Sequence, residues 1–67
     1  MKETELYEEL LSEIIAKKLY IKLEGLKIII FGRKNIDKNT LESIIKIVNR
    51  RNAKLTLLPY GQLEIKF

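Results

Sequence analysis

The chain of 67 residues has no cysteine, no histidine and no tryptophan. Without cysteine it forms no disulfides and offers no thiolate ligands. Zinc sites built without cysteine or histidine are uncommon, so neither a metal nor a cofactor is expected. Histidine is also the residue most often recruited for general acid–base work; in its absence carboxylates, lysine or tyrosine must be tuned by burial. Ser12, Ser43, Thr40 and Thr56 lack a partner base in the pattern of an activated nucleophile, and neither a G-x-G-x-x-G nor a P-loop pattern occurs. These gaps point away from catalysis and from a small-molecule substrate. No run of about 18 apolar residues is present, so no membrane-spanning helix is expected. The opening stretch MKETELYEEL is acidic and lacks the apolar run of a signal peptide, so a cytoplasmic protein is expected.

What the sequence does hold is aliphatic and charged. It contains 11 Ile and 11 Leu against one Val and two Ala, and its charged residues are mostly Lys and Glu. That mixture suits the ion-pair-rich surfaces of thermophile proteins; an AT-rich genome, which favours Ile and Lys codons, produces the same bias. A chain this short makes one domain and buries only about 60% of its unfolded surface. Domains of this size usually carry a disulfide, a metal or a partner subunit. With the first two unsupported, a homo-oligomer or a subunit of a larger assembly is expected, an unusually well-packed monomer being the alternative. The net charge of +4 conceals a division: residues 1–15 hold one lysine against five glutamates, a net of −4, and the remainder holds 12 cations against four anions, a net of +8. Such asymmetry hints at an anionic partner.

Spacing predicts a helix over 4–18, capped by Thr4, with glutamates in its first turns complementing the helix dipole. Its apolar positions Leu6, Tyr7, Leu10, Leu11, Ile14 and Ile15 span about half the circumference, wider than the ~100° stripe of a surface helix. Such an arc calls for contact with its own sheet and with a second helix, of this subunit or another. Residues 19–31 read as two strands. Ile21 and Leu23 alternate with Lys22 and Glu24, and Glu24-Gly25 marks a tight hairpin, one long strand bent at Gly25 being the competing reading. Leu26–Phe31 is apolar on both faces, the pattern of a central strand covered on both sides. The polar loop Gly32-Arg33-Lys34-Asn35 leads to a second helix capped by Asp37 or Asn39, with Asn39 and Glu42 fitting a capping box. That helix runs to about Arg51, with Leu41, Ile44, Ile45 and Val48 as its stripe, Ile47 to one side, and Ser43, Lys46 and Arg50 facing away. Lys54–Leu58 is a third strand, Pro59-Tyr60-Gly61 a turn and Gln62–Phe67 the last strand, where Leu63, Ile65 and Phe67 alternate with Gln62, Glu64 and Lys66.

The order is therefore α-β-β-α-β-β. The simplest assembly is an α+β domain with one mainly antiparallel four-stranded sheet and both helices on one face, built as helix-hairpin units over 1–32 and 33–67. The stretches GLKIIIF (25–31) and GQLEIKF (61–67) echo each other at an offset of 36, matching Gly25 with Gly61, Ile29 with Ile65 and Phe31 with Phe67. An internal duplication and two similar units shaped by the same physics both account for the echo. The sheet face without helices needs solvent-tolerant residues or a partner.

Glu5, Glu9 and Glu13 form an i, i+4 ladder that reads as a solvated acidic face, with Glu13 paired to Lys17. Two basic clusters are candidates for phosphate contacts. Arg33, Lys34 and Lys38 approach the N-terminus of the second helix, where free N–H groups and the dipole favour anions, although Asp37 competes for that position. Lys46, Arg50, Arg51 and Lys54 surround its C-terminus, where cations also stabilise the dipole without any ligand. Tyr20 and Tyr60 sit near strand ends, as stacking surfaces or as half-buried rim residues. No family motif is present. The leading expectation is a small non-enzymatic nucleic-acid-binding module or ribonucleoprotein accessory subunit, contacting phosphates through Arg33, Lys34, Lys38, Lys46, Arg50, Arg51 and Lys54. The alternative is a protein-interaction or oligomerisation module. It would dock through Leu6, Tyr7, Leu10, Leu11, Ile14 and Ile15 of the first helix and Ile29 and Phe31 of the strand at 26–31.

Overall fold

The computed structural model describes residues 2–15, 17, 19–32 and 36–67. Its first helix, α1 (Lys2–Ile14), forms because Leu6, Leu10 and Ile14 recur every four residues and line one face; all three are fully buried. Thr4 lies inside this helix rather than capping it, and the helix ends at Ile14 rather than at 18. The four-residue apolar series has no successor, because position 18 is a lysine. A turn closed by the Lys17 N–H on the Ile14 carbonyl (2.9 Å) follows.

β1 (Tyr20–Glu24) and β2 (Lys27–Phe31) pair antiparallel around a two-residue loop, Gly25-Leu26. Gly25 has φ +64°. A positive φ at the first loop position, supplied by glycine, is the pattern of a II′ hairpin, and it decides for two strands over one bent strand. The expected polar loop after β2 lies mostly outside the described residues, Arg33, Lys34 and Asn35 among them.

The second helix, α2 (Lys38–Arg50), is capped by Asp37 and not by Asn39: the Asp37 Oδ1 accepts the Thr40 N–H at 2.7 Å. Its far end closes with Asn52 at φ +58°, the Asn52 N–H on the Asn49 carbonyl (3.1 Å) and the Ala53 N–H on the Val48 carbonyl (3.0 Å). This is a Schellman ending, whose usual apolar contact is supplied by Val48 and Ala53, both buried. The buried stripe is Thr40, Ile44, Ile47 and Val48. Ile47, expected to one side of the stripe, therefore belongs to the core, and Ile45, expected within the stripe, is exposed. At 100° per residue Ile47 and Ile45 lie equally far to either side of the Ile44–Val48 line; buried Thr40 lies on the Ile47 side and turns the stripe that way.

β3 (Lys54–Leu58) and β4 (Gln62–Lys66) form the second hairpin around Pro59-Tyr60-Gly61. The four strands make one antiparallel sheet in the order β1-β2-β4-β3. At its centre Ile28 faces Ile65 and Ile30 faces Leu63. These four side chains, with Leu6, Leu10, Ile14, Ile44, Ile47, Val48 and Ala53, make the core, and Ile21 and Leu55 pack against it from the outer strands. Both helices lie on this face, α1 over β1 and β2, α2 over β3 and against α1. The second helix that α1 requires thus comes from the same chain. Among the described residues no helix is long and apolar enough to cross a membrane.

The two helix-hairpin units repeat in architecture, but the letter echo is not their register. Buried Leu6, Leu10 and Ile14 correspond to Thr40, Ile44 and Val48, each 34 positions later. Ile28 and Ile30 correspond to Leu63 and Ile65, 35 positions later, because the second hairpin loop is one residue longer. An offset of 36 equates Ile29, on the open face, with Ile65, in the core, and a one-residue slip of this kind inverts a strand's faces.

Candidate nucleic-acid interface

Alternation along each strand sends every second side chain to the face that carries no helix. Cross-strand register sorts these outward residues into rows. At one end Tyr20 faces Phe31, and Leu58 faces Gln62. In the middle Lys22 faces Ile29, Ile29 faces Glu64 and Glu64 faces Thr56. At the other end Glu24 faces Lys27, Lys27 faces Lys66 and Lys66 faces Lys54. Neighbouring strands lie about 4.8 Å apart, so the last three lysines stand abreast over roughly 10 Å.

The electrostatics of this face centre on Glu64, whose side chain is only 15% exposed. It forms ion pairs with Lys27 at 3.7 Å and with Lys66 at 3.6 Å. Lys22 pairs with Glu24 at 3.2 Å. Lys54 has no ion-pair partner among the described residues. Lys22, Lys27, Lys54 and Lys66 against Glu24 and Glu64 leave the face net positive. Ile29, expected to need cover on this side, is 5% exposed, flanked by Lys22 and Glu64, and the long stems of such side chains shield apolar surface. Tyr20 projects outward at 76% exposure, with half-buried Phe31 beside it.

The helix layer is balanced differently. The Arg51 Nε donates to Glu9 Oε1 at 2.7 Å and its Nη1 lies 3.4 Å from Glu5 Oε2, while Arg50 also pairs with Glu9. The acidic ladder of α1 thus answers the basic end of α2. Glu13 makes no ion pair with Lys17 among the described residues. At the opposite end of α2, the Asp37 carboxyl is held below its ordinary range, first by the Thr40 N–H and then by the Thr40 hydroxyl, with a smaller pull from Lys17. Asp37 therefore occupies the anion position at that helix N-terminus.

The residues expected to contact phosphate are dispersed by this architecture. Arg33 and Lys34 lie outside the described residues. Lys38 and Lys46 are exposed on α2. Arg50 and Arg51 are engaged by Glu5 and Glu9, and Lys54 alone sits on the open sheet face. The expected docking residues divide too. Leu6, Leu10, Ile14 and Ile29 are buried within the chain, Tyr7, Leu11 and Phe31 are half-buried, and Ile15 is exposed. Sequence reasoning passed over Lys22, Lys27 and Lys66. Their alternation with apolar neighbours marks them as outward-facing, but nothing local reveals that β2 and β4 are adjacent.

Among the described residues no group of three or more acidic side chains is placed to hold a metal ion. Compared with known protein families and with curated proteins, the chain matches none.

Proposed function

We propose that the protein binds single-stranded nucleic acid on the open face of its sheet, alone or within a ribonucleoprotein, and catalyses no reaction. The observation that supports this best is the lysine row. Lys27, Lys66 and Lys54 stand directly opposite one another on adjacent strands, and like charges so placed are destabilising. Glu64 offsets Lys27 and Lys66, whereas Lys54 has no such partner among the described residues. A phosphate backbone laid along the row relieves that repulsion. Toward the other end of the strands, Tyr20 and Phe31 offer aromatic surface, and four-stranded sheets that bind single-stranded RNA stack bases on outward aromatics of this kind. Unpaired bases reach such a platform while their phosphates meet the lysines; bases locked in a duplex do not. A cytoplasmic location accords with such a partner. Docking through α1 and residues 26–31 has less to support it, because Leu6, Leu10, Ile14 and Ile29 are buried in the chain itself.

Fluorescence anisotropy with labelled single-stranded and duplex oligonucleotides in rising salt tests the proposal. Single strands bind more tightly, and the log–log salt slope is about −0.7 per phosphate contacted, or about −3 if all four lysines engage. Tyr20→Ala weakens binding by about 1–3 kcal/mol if it stacks one base. Lys54→Glu and Lys66→Glu abolish most of the affinity, whereas Lys46→Glu on the helix layer changes it little. No binding at low salt, or equal losses from Lys46→Glu and Lys54→Glu, rejects the sheet face as the site.

A further inference from the structure

The two outer strands differ in how they guard the sheet's edges. An unpaired edge is a template for another strand, and charges are a common defence. β1 carries Lys22 at its centre and Glu24 at its end. β3 carries one charge, Lys54 at its first position, followed by Leu55, Thr56, Leu57 and Leu58. Leu57 lies on the helix-side face, opposite core residue Leu63, yet is 54% exposed. Beyond its ladder with β4, β3 makes no backbone hydrogen bond among the described residues.

We propose that two copies of the chain associate through β3, antiparallel and twofold symmetric about Thr56, joining their four-stranded sheets into one. The register follows from side-chain chemistry. Facing residues in an antiparallel pair share a sheet face, so a symmetric pairing must place a residue, not a gap between residues, on the axis. With Thr56 on the axis it meets the partner's Thr56, and threonine pairs are favourable across strands. Leu55 then meets the partner's Leu57 on the helix-side face, twice by symmetry, which covers the exposed leucine. Lys54 meets the partner's Leu58, so no like charges face each other. An axis at Leu57 sets Leu55 against the partner's Pro59, which has no N–H to give. An axis at Leu55 sets Leu58 against the partner's Asn52, whose φ of +58° has left the strand. The same device on β1, centred on its middle residue, forces Lys22 against the partner's Lys22. This association is independent of nucleic-acid binding, and it supplies the support that a small domain without disulfides usually needs.

Because the chain has no cysteine, a single introduced thiol reports on the axis. Facing Cα atoms in antiparallel pairs lie about 4.5–5.5 Å apart, inside the range a disulfide spans. The Thr56→Cys variant forms a disulfide-linked dimer under mild oxidation, whereas Lys22→Cys does not. By sedimentation velocity at micromolar concentration the unaltered chain is a dimer. Thr56→Lys, which in its own sheet merely faces Glu64, is a monomer with an unchanged circular dichroism spectrum. A strictly monomeric unaltered chain, a Thr56→Lys variant that stays dimeric, or crosslinking through Lys22→Cys as fast as through Thr56→Cys overturns the proposal.

Discussion

Asp37 accepts the Thr40 N–H at 2.7 Å, and that bond is the largest cause holding its carboxyl below the ordinary value. A group depressed on folding stabilises the native state above its unfolded pKa, here about 3.9. That contribution disappears as pH falls through the folded value. Asp37→Ala is therefore expected to melt below the unaltered protein at neutral pH, with the two melting curves converging under strong acid. Thermal melts by circular dichroism from pH 7 downward check this, and a gap constant across the series contradicts it. Both Asp37 and Asn39 were legible as caps because their side chains are short acceptors. Geometry chose Asp37, which stands three residues before the buried Thr40. Tyr60 was not legible in the same way. It holds φ +65° at 98% exposure, a conformation that favours glycine or asparagine over tyrosine, so no local preference announces it.

Between elements, the strongest polar contact described is the tie from Arg50 and Arg51 to Glu5 and Glu9. Glu9→Gln leaves two adjacent arginines with much less compensation. The expected loss is modest, about 1 kcal/mol or less for a surface network, and it shrinks at high ionic strength. Urea denaturation at low and high salt measures it. Arg51→Ala should lower stability similarly while leaving oligonucleotide affinity unchanged, since the arginine stands on the helix layer. Element type was readable because period and pattern are local: Leu6, Leu10 and Ile14 at helical spacing, and Leu63 and Ile65 alternating with Gln62, Glu64 and Lys66. What periodicity does not provide is the neighbour. The wide arc of α1 implied a second helix without saying whose. With α2 of the same chain in place, Leu6, Leu10 and Ile14 are fully buried, Tyr7 and Leu11 are half-buried, and only Ile15, just past the end of α1, stays well exposed among the six expected positions.

Across the whole molecule, the division of charge in the sequence becomes a division of faces. The acidic charge of α1 is set against the arginines at the C-terminal end of α2, Arg50 and the C-cap Arg51, while the outward sheet face keeps four lysines to two glutamates. That separation was invisible beforehand, because composition records how many charges exist and not which strands lie side by side. The order β1-β2-β4-β3 places the inner strand of each hairpin against the other, with Ile28, Ile30, Leu63 and Ile65 along the join. Each half of the chain thus contributes one side of a seam through the middle of the sheet. Peptides 1–32 and 36–67, made separately, should each remain unstructured and recover native-like circular dichroism when mixed in equal amounts. A well-folded single peptide shows the halves to be self-sufficient. The seam makes the protein a natural candidate for splitting: a nick in the connecting segment would leave two pieces that identify one another, and reassembly itself would become a signal that two fused molecules have come together.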